Sequence, residues 1–323
     1  MSRVEFAILG AGAIGSIIGA HLVRAGHSVV MLVRERRAEQ LRRDGLVIRG
    51  LVDIVTPVEV CTDASQLHSA GVLIVAMKTP GTAAALERLR TADIDVAFSI
   101  QNGIAKDAQL AQAFGPKRVL GALADTSGEL LPAGEVLFTR NVNVLLGELA
   151  GGASARAQRI SSTIDAAGVR AHAVHDIVSR EWSKFVGWAG LMILSVTTRT
   201  TTWKYLTDRD SALVLARLVR EMGALAHASG VALSDQAVLP VAKLVQSPED
   251  DAVELIRAVG REFHSKAPEH RMSSLQDLEA GRPLEVEETI GDAVRKAQAL
   301  KLSLPLLDAF YHVVACIDRA RDR

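Results

Sequence analysis

The chain has 323 residues, 49% of them hydrophobic and 23% charged, and its 37 basic and 37 acidic residues balance to a formal net charge of zero. That length suits one large or two medium domains, and the neutral balance with only 4% aromatics argues against a nucleic-acid or membrane partner. Two cysteines without Cys-x-x-Cys spacing, and histidines without metal-ligand pairing, give no metal site to expect and fit a cytoplasmic protein.

In chain order, VEFAILG (4–10) reads as a buried strand ending in glycine, and AIGSIIGAHLVRAG (13–26) as a helix closed by Gly26. Residues 6–23 carry no formal charge and have the length of a membrane span, with a GxxxG spacing at Gly15 and Gly19. A span or a signal peptide is nevertheless rejected, because the glycines inside the segment have a better explanation. SVVMLVR (28–34) is a second strand, AEQLRRDG (38–45) a short helix, GVLIVAMK (71–78) and VAFSIQN (96–102) further strands, and TAAALERLR (82–90) the helix between them. Strand, helix, strand at this rhythm predicts a parallel α/β sheet. The stretch 118–149 reads as strands broken by Pro132 and Gly134, and is expected at the far edge of that same sheet. After a last strand in GVRAHAVHD, strand signals vanish. From about 176 the segments SREWSKFVGWAGLMILSV, SALVLARLVREMGALAHASG, DQAVLPVAKLVQ, DAVELIRAVGREFH, EETIGDAVRKAQAL and LPLLDAFYHVVACIDRARD all repeat at three and four residues. The expected organisation is therefore an α/β domain over 1–172 and an all-helical domain over 173–323. The apolar run LPLLDAFYHVVACI is open to two readings, a core helix or the face of a homodimer.

Residues 10–15 read GAGAIG, so Gly10, Gly12 and Gly15 fit G-x-G-x-x-G after a strand and at the start of a helix. Gly10 permits the tight turn, Gly12 lets the backbone approach a pyrophosphate, and Gly15 lets helix and strand pack closely. The N–H groups around Ala13 and Ile14 then face the phosphates. After the second strand come Val33-Arg34-Glu35-Arg36-Arg37. An arginine here suits the 2′-phosphate of NADP, with Arg34 first and Arg36 or Arg37 as helpers, whereas Glu35 keeps NAD as the alternative. Lys78 and Asn102 stand at the ends of two strands, where ligands of open α/β sheets collect. Lys184, in EWSKFVGWAGLMILS, precedes eleven uncharged residues. Taken alone, it reads as a lysine whose stem packs on a helix face and whose head stays in water.

GAGAIG, VAMKTPGT, SIQNGI, REWSKF and MSSLQDLEAGRPLEVEETIGD occur in the order and at intervals similar to those of the ketopantoate reductases (2-dehydropantoate 2-reductases), which the chain resembles over nearly its whole length. SSLQDLEAGRPLEVE is the most specific of these blocks. The resemblance implies an N-terminal NADP-binding Rossmann domain, a C-terminal helical domain and an active site in the cleft between them. It implies a soluble cytoplasmic enzyme of pantothenate biosynthesis that reduces 2-dehydropantoate to pantoate with NADPH. Lys184 then resembles the general acid and Glu285 the acid that pairs with it and contacts substrate. Ser273 matches a hydroxyl that binds the substrate carboxylate, while Asn102 and Lys78 match side chains beside both cofactor and substrate. Partial burial would lower the pKa of such a lysine and a neighbouring glutamate would raise it. Glu285 sits in LEVEET, at an expected helix start, and Ser273 and Ser274 are expected N-caps.

In one place the chain departs from the family. Relatives usually carry asparagines four and eight residues beyond the lysine, where this chain has Trp188 and Met192. Losing those polar groups puts the hydroxylated substrate in question and raises a bulkier or aromatic 2-oxo acid as the alternative. A protein that binds NADP without turnover is a second alternative.

Overall fold

The computed structural model describes residues 3–321, and the chain divides into two compact units. One holds the chain up to Asn102 together with Lys106–Ile177; the other holds Gly103–Ala105 and the chain from Val178 onward.

The first unit opens with β1 (Val4–Leu9), α1 (Ala13–Arg24), β2 (Val29–Leu32) and α2 (Glu35–Asp44), followed by three short strands, β3 (Leu46–Gly50), β4 (Ile54–Thr56) and β5 (Glu59–Cys61). Then come β6 (Ser69–Val75), α3 (Thr82–Glu87), β7 (Asp93–Ser99), α4 (Lys106–Phe114), β8 (Gly121–Leu130), β9 (Val136–Gly147), α5 (Ala155–Ala167) and β10 (Ala171–Ala173). A five-stranded parallel sheet has the order β5-β2-β1-β6-β7. The chain leaves β1 to one side for β2 and returns to the other side for β6, so the switch point lies between β1 and β6.

Residues 118–149 do not extend that sheet. β8 and β9 pair antiparallel, with register shifts between Asp125 and Thr126 and between Ser127 and Gly128. They belong to a second sheet of order β10-β9-β3-β4, with β8 on the other side of β9. With 12 residues, β9 is long enough for two successive parallel partners, β3 along its first part and β10 along its last. A single bridge, Ala97 to Val119, links this region to β7. The bulges add twist and turn the hairpin away from the first sheet. Helix α1 lies in the core with strands of both sheets, and residues 15–22 are all buried. A helix enclosed on every side has no reason to be amphipathic, which explains the span-like composition of residues 6–23. Among the described residues no helix is long and apolar enough to cross a membrane.

The second unit is helical: α6 (Ile177–Thr198), α7 (Thr202–Thr207), α8 (Arg209–Ala228), α9 (Val241–Gln246), α10 (Glu249–Lys266), α11 (Ser273–Glu279), α12 (Ile290–Ala299) and α13 (Pro305–Ala320). Its core gathers Phe185, Met192, Leu215, Leu244, Ile256 and Leu307 with their neighbours, each fully buried aliphatic or aromatic side chain stabilising the unit by roughly 1.5–3 kcal/mol. Asp208 caps α8 by accepting from the Ser211 N–H at 2.8 Å. Helix α9 starts only at Val241, because Pro240 fixes the entry and the preceding DQAVL stays outside the helix.

Candidate active site

In the first unit the glycine turn is closed at the switch point. The Gly10 N–H donates to the Leu32 carbonyl at 2.9 Å, and the Ala76 N–H donates to that of Leu9 at 2.9 Å, so the turn is anchored to both neighbours of β1. Gly10 has φ +106°, and a Cβ there would lie 2.6 Å from the Met77 nitrogen. A Cβ on Gly15 would lie 2.2 Å from the Gly10 carbonyl oxygen, whereas one on Gly12 meets nothing closer than the Ala76 oxygen at 3.9 Å. Two glycines are thus required by the protein itself, and the third borders open space at the start of α1. Gly12 is the N-cap of α1, followed by Ala13 and Ile14, and the first turn carries no acidic residue or side-chain cap. Its leading N–H groups have no intrahelical acceptor. This cradle fits a dinucleotide pyrophosphate.

The strands bearing Lys78 and Asn102 are neighbours. β6 and β7 run in register to Val75 opposite Ser99, and each candidate residue stands three positions further on, Lys78 exposed and Asn102 half-buried. Between these ends lies a residue that the sequence reading passed over. Gln101, 9% exposed, donates through Nε2 to the Met77 carbonyl at 3.0 Å and to Thr82 Oγ1 at 2.7 Å, and its Oε1 accepts from the Ser99 hydroxyl at 2.9 Å. It yokes the loop before Lys78 to the loop carrying Asn102. Lys106 was also missed: it is 6% exposed and donates from Nζ to the carbonyls of Ser99 at 3.0 Å and Ala122 at 2.7 Å. A lysine opening a helix gives no sequence signal of burial.

Arg34 is the N-cap of α2, with Glu35 its first residue, so the helix expected over AEQLRRDG begins three residues earlier. Arg34 and Arg36 are exposed. Arg37 is half-buried and turned inward, donating to the Ala11 and Gly134 carbonyls.

In the second unit, Lys184, Trp188, Met192 and Ser195 form one stripe along α6, at spacings of four, four and three. Lys184 and Trp188 are half-buried, and the stripe then enters the core, with Met192 1% and Ser195 0% exposed. The Trp188 ring stacks on Phe185 at 6.4 Å between centroids. Glu181, 7% exposed and one turn before Lys184, was not singled out from sequence; its i,i+3 spacing sets it on the lysine's face. The Ser195 hydroxyl donates to the Met192 carbonyl at 3.1 Å and shares a 3.2 Å hydrogen bond with Ser274, which fastens α6 to the first turn of α11 beside Ser273. Ser273 is exposed and is the first helical residue; the N-cap is Met272, not a serine.

Glu285 does not open a helix. It lies, half-buried, in a turn between Leu284 and Val286, both in the same core as Phe185. The Thr289 hydroxyl donates to the Glu285 carbonyl, and the Gly291 N–H reaches back five residues to that of Val286 at 2.9 Å. These bonds replace the helical ladder, so α12 begins only at Ile290. Burial pushes the neighbouring Glu288 carboxyl up, and the charges of Glu285 and Glu287 push it the same way. Gly103, φ +93°, packs beside this turn: a Cβ there would lie 3.2 Å from the Glu288 carbonyl oxygen.

A parallel sheet with a glycine cradle at its switch point, followed by a helical unit with a lysine and a glutamate set about one core, defines a nicotinamide-dependent dehydrogenase or reductase. Residues 6–151 match the family model described as ketopantoate reductase PanE/ApbA, and residues 176–318 match the one for its C terminus. A 2-dehydropantoate 2-reductase of Archaeoglobus fulgidus is 31% identical over 298 residues, covering 92% of each chain. Two solved structures share the fold. A PanE/ApbA family ketopantoate reductase of Ralstonia eutropha superposes with TM-score 0.82 at 22% identity, over 99% of this chain and all of that one. D-mandelate dehydrogenase, in a ternary structure with NADH and anilino(oxo)acetate, gives TM-score 0.84 at 18% identity over 99% and 100%. The chain belongs to the ketopantoate reductase family and is an oxidoreductase.

Proposed function

We propose that the protein reduces 2-dehydropantoate to pantoate with NADPH. The observation that carries this reading is the glycine turn packed against Met77, which sets a dinucleotide cradle beside the strand end bearing Lys78. When bound, the reduced nicotinamide supplies a hydride for the 2-oxo carbon. Lys184 stabilises the negative charge that develops on the carbonyl oxygen and gives up a proton from Nζ. Glu285 orients Lys184 and contacts substrate, Ser273 donates to the substrate carboxylate, and Asn102 and Lys78 align the reacting ends of cofactor and substrate. Steady-state oxidation of NADPH with 2-dehydropantoate and with a panel of other 2-oxo acids tests the reading. Turnover of 2-dehydropantoate with the highest kcat/KM supports it, and no turnover of any 2-oxo acid refutes it.

Arg34 supports the choice of NADP, as an exposed guanidinium at the end of β2 where the adenosine ribose of a dinucleotide falls. A charge-assisted hydrogen bond contributes roughly 1.5–3 kcal/mol. Arg34→Ala is therefore expected to raise KM for NADPH about 10- to 100-fold and leave KM for NADH nearly unchanged. Equal effects on the two cofactors would refute this role.

A second reading is favoured by Trp188, whose ring stacks on Phe185 one turn beyond Lys184. An apolar ring where relatives carry asparagine suits a substrate with an aromatic or bulky side chain. On that reading Trp188→Asn lowers kcat/KM for a phenylpyruvate-type acid about 10-fold or more, since each lost apolar contact contributes roughly 1–3 kcal/mol. An unchanged ratio of the two substrates' kcat/KM values would remove Trp188 from specificity.

A further inference from the structure

The guanidinium of Arg37 has no carboxylate partner among the described residues, and burial lowers its pKa. Its donors make four hydrogen bonds, to four pieces of the first unit. Nε donates to the Ala11 carbonyl at 3.1 Å, inside the glycine turn. One terminal nitrogen donates to the Gly134 carbonyl at 2.8 Å, in the turn between β8 and β9, and to Gln40 Oε1 at 3.3 Å on α2. The other donates to the Ser16 hydroxyl at 3.3 Å. Ser16 in turn donates to Ala11 at 3.2 Å, which closes a ring of hydrogen bonds around one carbonyl. Fixing that carbonyl fixes the plane of the Ala11–Gly12 peptide, and with it the N–H of Gly12 at the open face of the cradle. A planar fork with donors in set directions does this where a lysine's point charge does not. The Gly134 turn is shaped around the same group: φ is +98° there, and a Cβ would lie 3.0 Å from the Arg37 guanidinium.

We infer that Arg37 is a positioning residue for the dinucleotide, holding the Gly10–Gly12 turn in its binding shape rather than reading the 2′-phosphate. The inference rests on the cofactor reading above and divides the work between the arginine that caps α2 and one inside its first turn. Arg34 discriminates between cofactors, and Arg37 serves whatever the glycine turn binds. The turn meets the pyrophosphate, which NADPH and NADH share, so the loss of Arg37 falls on both alike.

Calorimetric titration of the full chain with NADPH and with NADH, without substrate, tests this. Arg37→Gln is expected to raise Kd for both cofactors by the same factor, about 5- to 20-fold, while Arg34→Ala raises it for NADPH alone. Arg37→Lys keeps the charge and the buried stem, and is expected to recover only part of the affinity. It carries the test if the glutamine variant fails to fold, as judged by circular dichroism. A rise confined to NADPH would make Arg37 a phosphate reader and overturn the inference. So would unchanged Kd values in a variant with a lowered melting temperature, which is the mark of a purely structural arginine, or wild-type affinity in Arg37→Lys. A wild-type chain that binds neither cofactor defeats the cofactor reading itself, a result distinct from all of these.

Discussion

Lys184→Ala is expected to lower kcat by about 10²- to 10⁴-fold, the contribution of a positioned general acid. That factor corresponds to about 3–5 kcal/mol of transition-state stabilisation. The effect belongs to kcat because the ammonium matters most when the carbonyl oxygen becomes an alkoxide. KM for the 2-oxo acid moves less, since Ser273 and Asn102 are proposed to bind the ground state. Lys184→Arg separates charge from proton: arginine keeps a cation on the same stripe of α6, but its pKa is too high for it to release a proton at neutral pH. It should therefore recover a minor part of the rate. Alanine is well tolerated inside a helix, and Lys184 is only half-buried, so unfolding free energy should stay within roughly 1 kcal/mol of wild type. Single-turnover oxidation of NADPH with saturating 2-oxo acid makes the comparison. An alanine variant that retains the wild-type rate would strip Lys184 of the acid role.

The second large effect concerns the glycine turn, where two substitutions of the same size should behave differently. In Gly15→Ala the new methyl would sit 2.2 Å from the Gly10 carbonyl oxygen and 3.0 Å from the Ala76 Cβ. Neither neighbour is a flexible side-chain end, so α1 must move away from β1. Overpacking of this kind costs about 1–3 kcal/mol, and it distorts the cradle as well. In Gly12→Ala the methyl has no protein atom within ordinary contact distance except the Ala76 oxygen at 3.9 Å. It instead takes space that a pyrophosphate needs. Gly15→Ala should therefore lower both the melting temperature and cofactor affinity, whereas Gly12→Ala should lower affinity alone. The expected affinity loss is about 100-fold, or roughly 2.7 kcal/mol. Thermal melts read together with calorimetric Kd values decide. Retained cofactor affinity in Gly12→Ala would mean that no phosphate approaches this turn.

Features fixed by local rules were legible in the sequence. The strand–glycine–helix signature of residues 4–26 needs only neighbouring residues to be read, and so does the three-four repeat of α6, α8, α10 and α13. The short strands β3, β4 and β5 were not found, because three to five residues show no usable period. The hairpin of β8 and β9 was seen but set in the wrong sheet: its partner β3 lies far away in sequence, with Ile48 opposite Val136, and such pairing leaves no local trace. At the site, Gly10, Gly15, Lys78 and Asn102 follow from strand ends and turn chemistry. Arg37, Gln101 and Lys106 do not, since each acts through main-chain carbonyls supplied by distant segments. The start of α12 was misplaced because Thr289 bonds the Glu285 carbonyl through its hydroxyl, a competition that a run of acidic residues conceals.

The eight residues from Ile54 to Cys61 end both sheets of the first unit, β4 at the margin of one and β5 at the margin of the other, with Pro57 between them. Each of these margins offers three residues of open backbone, and the proline has no N–H to extend either ladder. Neither margin is long enough to template strand addition by another chain, so at these two margins the unit is guarded against edge-to-edge aggregation although Val55 is 62% exposed.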